Sequence, residues 1–506
     1  MKSFKNYVFV FFVSILGTSF LTGCDINNGG TSSSNADSDI SIDVSVPDGF
    51  ERIDINPKAN TFEFEGLGAQ MDVCMFTGSY CGLDGIDGNI TDEDVAIWKQ
   101  RLEYMNIDCT RMCIIPDWYE LTNDNNDPNV LNEQSFNWNT IKMQAVNKVL
   151  DLCKEFNIKV NMSWYGTYPT SWNANQYDLD HNPGWLVWPE DDEEFAESVY
   201  AALKHFNDTG YSNVINEISF YPEPVTSRVN DGSYAKMITA VSDKLEKEGI
   251  RKNYILSGPA EVSNYSVFEN LFDTVGDIFD RYTGSFYKFN SRTDNASLNM
   301  GIAPFSELAA TVNKPYGVSE FGSNEMISAA AQKDIDTYAR ALYISRFVTS
   351  ILNSGYTYAS YWVLGNAMYD GTLMDLGLWK YKSADWALRP QYYSYSLITR
   401  YTEPGSRVYQ SSVSLYDDVS MAALKSPDGK WTYIINNNGS NMRKISIVNP
   451  LFLNGSLTKY EITEDSVPLG GQKIGIDASG TVNLKNGCAN LSLKTKSILV
   501  LTNMEK

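Results

Sequence analysis

The sequence predicts an α/β protein: a (β/α)8 TIM barrel with an accessory all-β sandwich formed by the C-terminal region plus N-terminal strands. Three observations predict it. From Gly66 to Tyr401, strand patterns and helix patterns alternate through eight units. Such alternation argues for a parallel sheet with helical crossovers, and eight units in this length close a barrel. After Glu403-Pro404-Gly405 the texture changes to short alternating segments punctuated by Asp-Gly, Asn-Gly and Ser-Gly, the pattern of a sandwich. No glycine-rich nucleotide fingerprint follows any strand, which argues against an open doubly wound sheet.

The chain has 506 residues, 43% of them apolar, and a net charge of −22 from 40 basic and 62 acidic side chains. That surface repels phosphate backbones, so nucleic acid is not an expected partner. The 31 tyrosines and 11 tryptophans suit stacking on flat, polar-edged ligands. Lys2 and Lys5 precede an apolar run from Tyr7 to Leu21 that is too short to span a bilayer comfortably. The run ends in Leu21-Thr22-Gly23-Cys24, which resembles the lipobox of bacterial lipoproteins. The resemblance implies cleavage before Cys24 and a lipid on its thiol. The expected location is therefore the cell envelope, at the outer membrane or in the periplasm, with the lipid anchor as the sole membrane contact. A monomer is expected. The expected boundaries are residues 1–23 signal peptide, 24–39 flexible tether, 40–64 strands joining the sandwich, 65–401 barrel and 402–506 sandwich.

Cys109 and Cys113 share a predicted strand at a spacing too wide for a disulfide between them, whereas Cys74 and Cys81 could pair through a loop. The cysteine spacing is not that of a zinc site, and the chain has two histidines, His181 and His205. Neither a metal nor a cofactor is expected.

Along the chain, Thr91 caps a helix to Met105, with Asp94 three residues on as the partner in a capping box. Strands are read at Cys109–Ile115, Ile158–Trp164, Glu217–Pro224, Tyr254–Ser257, Phe279–Tyr287, Pro315–Phe321 and Tyr358–Val363. Gly66–Gln70 is the first of the eight, a strand entering a glycine-rich bend. Helices follow from the apolar spacing of Val146–Cys153, Phe195–Phe206, Tyr234–Leu245, Ile335–Leu352 and Pro390–Tyr401.

The fourth strand stops at Tyr221-Pro222-Glu223-Pro224, where a carboxylate is fixed between two prolines. A residue before proline favours extended backbone, which is the expectation for Tyr221 and Glu223. The seventh strand ends in Ser319-Glu320-Phe321-Gly322. Both glutamates fall at C-terminal strand ends, where barrel enzymes place their chemistry. Two carboxylates about 5 Å apart are what retaining glycoside hydrolysis requires.

Glutamates at strands four and seven resemble the signature of clan A glycoside hydrolases, over roughly Gly66 to Tyr401. The resemblance implies a retaining β-glycosidase with Glu223 as acid/base and Glu320 as nucleophile. It further implies that Arg111 orients the nucleophile, that Tyr287 (or Tyr282 in another register) hydrogen-bonds it, and that Trp362 floors the sugar site. The flanking strands, the Phe64-Glu65-Gly66-Leu67-Gly68 entry and the C-terminal sandwich are similar to glycoside hydrolase family 30. Trp164 opens an aromatic loop with Trp172, Tyr177, His181, Trp185 and Trp188, expected to offer stacking platforms to a carbohydrate. Pro222 departs from the clan, which has asparagine there. Proline has no donor for a sugar hydroxyl, so a silent glycan-binding lipoprotein is the alternative.

Overall fold

The computed structural model describes residues 40–78, 89–165, 172–176, 180, 187–221, 232–261, 264–275, 277–328, 330–369, 371–468, 470–471 and 473–506. The lipobox at Cys24, the Cys74–Cys81 pairing and the Pro222-Glu223-Pro224 turn lie outside the described residues, as do Tyr177, His181 and Trp185. Among the described residues no helix is long and apolar enough to cross a membrane.

After β1 (Glu51–Ala59), the barrel is built from β2 (Gly66–Ala69), β3 (Cys109–Ile114), β4 (Lys159–Trp164), β5 (Ile215–Phe220), β6 (Ile255–Glu261), β7 (Arg281–Phe286) and β8 (Tyr316–Phe321). Two small strands, β9 (Met326–Ser328) and β10 (Ala331–Gln332), intervene before β11 (Tyr358–Tyr361) closes the circle between β8 and β2. Every neighbouring pair is parallel. The seam between β2 and β3 needs Gly68, because a Cβ there would lie 1.6 Å from the Cys109 carbonyl oxygen.

Helices fill the crossovers. The Asp92–Met105 helix carries the expected capping box, Thr91 and Asp94 each bonding the other's backbone amide. Two helices, Tyr265–Val275 and Asn295–Thr311, were not expected from the sequence. In the second, Pro304 sits inside the helix and Met300 is exposed, which blurs its apolar stripe.

The barrel interior is polar. At the N-terminal ends of the strands, buried Arg281 bridges Glu65 and Glu217, with 2.6 Å to Glu217 Oε2. Asn161 and Tyr358 donate to Glu217 Oε1 at 2.8 and 3.2 Å, and the Arg281 guanidinium lies 4.8 Å over the Tyr358 ring. A buried carboxylate is tolerated when its lone pairs are satisfied in this way.

The remaining strands form a second module after a small hairpin, β12 (Ala367–Tyr369) and β13 (Thr372–Met374). They are β14 (Arg407–Ser411), β15 (Val419–Lys425), β16 (Trp431–Asn437), β17 (Arg443–Val448), β18 (Gly455–Ile462), β19 (Gly480–Leu484), β20 (Cys488–Leu493) and β21 (Ser497–Thr502). Nine strands run in the order β19-β18-β21-β16-β15-β14-β1-β17-β20. β1 lies antiparallel to β14 and parallel to β17, so an N-terminal strand completes the module. Alternate residues serve two cores. Met421, Ala423, Ile435, Leu499 and Leu501 pack inside the module. Their neighbours Ala422, Leu424, Ile434, Ile498 and Val500 pack into the barrel's core.

Ile53 on β1 is fully buried in the module core. Ile53→Ala is expected to destabilise the module by about 2–5 kcal/mol. Urea unfolding followed by circular dichroism checks this.

Candidate active site

The C-terminal ends of β2, β3, β8 and β11 bring together Gln70, Asp72, Arg111, Glu320 and Trp362. Arg111 sits in mid-strand on β3 and faces the interior, with 1% of its surface exposed. Its Nη2 meets Glu320 Oε2 at 2.5 Å, and its Nε donates to Gln70 Oε1 at 3.0 Å. Gln70 Nε2 in turn donates to Asp72 Oδ2 at 2.5 Å, and Asp72 Oδ1 accepts the Cys113 amide at 2.9 Å. The result is one chain, Asp72–Gln70–Arg111–Glu320, in which the amide of Gln70 fixes the guanidinium plane and the guanidinium fixes the carboxylate. Charge-assisted bonds of this kind are short and directional. Burial pushes the Asp72 carboxyl up to about 6, against the opposing pull of the Gln70 and Cys113 hydrogen bonds and of Arg111.

Glu320 is the fifth of six residues in β8 and is 6% exposed. The register between β7 and β8 slips at Gly284/Ser285, so that Ser285 pairs with Glu320. That irregularity re-aims the strand end, a common device beside active sites. Trp362 follows β11 directly, partly exposed, with its ring 6.0 Å from the Arg111 guanidinium carbon and 6.4 Å from the Tyr369 ring. Tyr287, partly exposed just past β7, lies against Gly322: a Cβ on Gly322 would sit 2.6 Å from the Tyr287 ring. Tyr282, the alternative register, instead packs outward among Phe268, Phe272 and Phe279.

Two expectations are corrected. Trp164 offers no stacking face: it is fully buried, stacked 5.6 Å from Phe220, and its Nε1 donates to Tyr119 Oη at 3.1 Å. The cause is strand alternation. Ser163 pairs with Cys113, whereas Trp164 pairs with Ile114, which shares the outward side. Trp188 is likewise buried, 4.2 Å from the Tyr221 ring. Tyr221 is not extended; its φ is 46°. Its amide donates to Trp164 O at 2.8 Å and its hydroxyl to Val187 O at 3.0 Å. Those anchors, with burial of the ring, outweigh the preference of a residue before proline. The chain thus leaves β5 through a left-handed residue two positions before Glu223, which itself lies outside the described residues.

Gln70 and Asp72 were not singled out from the sequence. The one signal was the bend after Gly68-Ala69, which turns β2 into the mouth.

No protein-family model and no curated protein matches the sequence. In three dimensions the chain is similar to a GH30 endoxylanase from Clostridium papyrosolvens C71, with TM-score 0.63 and 14% identity over 89% of this chain and 99% of that one. It is similar to an α-L-arabinofuranosidase from Thermotoga maritima, with TM-score 0.57 and 12% identity over 89% and 99%. A conserved exported protein from Bacteroides fragilis gives TM-score 0.62 and 12% identity over 89% and 100%. These likenesses establish the fold: a closed parallel barrel with an accessory β-module, the architecture of GH30 enzymes.

Replacing Arg111 by Met leaves Glu320 buried without its cation. A loss of about 3–5 kcal/mol is expected in chemical unfolding at neutral pH. Because the Asp72 carboxyl is raised in the folded state, ionising it costs stability as pH rises from about 4 through about 6, and acidification across that window relieves the cost. Carboxyl-carbon NMR should place its titration near 6.

Proposed function

We propose that the protein is a retaining β-glycosidase acting on an oligo- or polysaccharide, with Glu320 as nucleophile and Glu223 as acid/base. The observation that carries the reading is the Arg111–Glu320 pair at the mouth of a barrel of this fold. Glu320 attacks the anomeric carbon while the carboxylic acid of Glu223 protonates the departing oxygen. This gives a glycosyl ester on Glu320. Glu223, now a carboxylate, takes a proton from water as the water attacks the same carbon, and Glu320 leaves. Arg111 balances and orients the Glu320 carboxylate, and Gln70 holds Arg111 in plane. Trp362 offers its partly exposed ring as the floor beneath the sugar. The placement of Glu223 rests on the sequence: it lies three residues beyond the end of β5.

Pro222 favours a second reading, a glycan-binding protein that keeps the barrel without turnover. The proline withholds a hydrogen bond from the sugar at a position where the clan supplies one. The lipobox supports anchoring of either form at the bacterial cell envelope through Cys24.

Hydrolysis of activated aryl glycosides separates the two. Glu320→Ala should lower kcat by on the order of 10^3-fold or more, and Glu223→Ala should flatten the basic arm of the pH profile while sparing substrates with good leaving groups. Saccharide binding without product release across a broad glycan panel favours the silent reading. Wild-type rates in Glu320→Ala rule the mechanism out.

A further inference from the structure

Beyond β3, the loop carrying Glu120 and Asp124 lies against the first turns of the Asp192–Asp208 helix. There Asp124, Glu194 and Glu197 bring one carboxylate oxygen each within 4.8 Å of one another. Glu194 and Glu197 are 6% and 2% exposed, and Glu120, also 2% exposed, feels the charge of all three. Ionised carboxylates so placed repel one another strongly unless a cation or a proton lies between them.

Asp124 Oδ2 accepts from Asn125 Nδ2 at 3.0 Å and from the Asn132 amide at 2.6 Å, but three other oxygens of the group, Glu120 Oε2, Asp124 Oδ1 and Glu197 Oε1, are buried without a donor among the described residues. Glu197 is the clearest case, a nine-tenths buried side chain aimed into the cluster that accepts no bond there. Glu194 Oε2 accepts from Asn123 Nδ2 at 3.0 Å. The facing cation, Lys244, is engaged elsewhere, donating to Pro128 O at 3.0 Å and pairing with Glu248 at 3.3 Å. Burial and mutual repulsion push Glu120 up to about 8 and Glu197 to about 7.

We propose that these carboxylates bind a hard divalent cation, Ca2+, which ties the loop after β3 to the Asp192–Asp208 helix. The donor set is all oxygen and anionic, with neither nitrogen nor sulfur. Ca2+ accepts six to eight such ligands in adaptable geometry, whereas Mg2+ demands a strict octahedron. The ion would tie the loop leaving the C-terminal end of β3 to the start of the helix that follows β4. The same loop segment holds Tyr119, whose hydroxyl receives Trp164 Nε1 and donates to Ser198 O at 3.2 Å. The inference stands apart from the glycosidase reading.

The test uses the full chain freed of metal with EDTA. Calorimetric titration with CaCl2 should show one saturable site, and thermal unfolding should shift upward by a few degrees. Tb3+ should luminesce on excitation of tryptophan, because Trp172 Nε1 donates to Glu120 O at 3.1 Å. Glu197→Gln and Asp124→Asn should lose the response. Glu197→Gln should also unfold at a higher temperature than the metal-free parent at mildly alkaline pH, since it removes a buried charge. Three results overturn the proposal: no Ca2+ or Tb3+ binding up to about 10 mM, binding undiminished in Glu197→Gln, or a preference for Mg2+ over Ca2+.

Discussion

The fold depends on satisfying charge inside a closed barrel. Most barrels of eight strands fill their interior with branched aliphatic side chains. Here two ionic chains are stacked inside: Glu65–Arg281–Glu217 at the N-terminal ends of the strands, and Asp72–Gln70–Arg111–Glu320 at the C-terminal ends. Each draws residues from strands far apart in sequence, and each is satisfied only when the circle is closed. An interior of this kind stabilises the correct closure less than it penalises a wrong one, because a slipped strand strands a buried charge.

That constraint also explains how the candidate site is aimed. The lower chain fixes the inward residues of β5, β7 and β11. The upper chain inherits their register, and the slip at Gly284/Ser285 sets Glu320 at the level of Ser285. Arg111, fixed on one side by Gln70, then has a single direction in which to hold the Glu320 carboxylate. The supporting network is as much part of the site as the carboxylate itself.

Much of this was legible in the sequence. Thr91 and Asp94 announce their helix because a capping box is local chemistry. Glu320 and Arg111 are legible because each occupies a strand whose limits are clear. The failures share a cause: they need facts that one segment does not carry. Trp164 is read with the aromatic loop it opens, and strand alternation alone does not say which of its two faces is inside. Tyr221 obeys its tertiary anchors rather than its proline neighbour. The Asp124–Glu194–Glu197 cluster joins a loop to a distant helix, and a search for histidines and cysteines passes over an all-oxygen donor set. Pro304 concealed a helix that packing nevertheless stabilises.

The placement of β1 has a consequence in time. Its two partners, β14 and β17, are made after the whole barrel, roughly 350 residues later for the nearer one. At ordinary rates of synthesis that interval is on the order of tens of seconds. Through it Ile53 and Ile55 belong to a strand whose hydrogen-bonding edges and apolar face have nothing to meet. Truncation between Arg400 and β14 therefore leaves β1 with an open edge beside a barrel whose strands are all present.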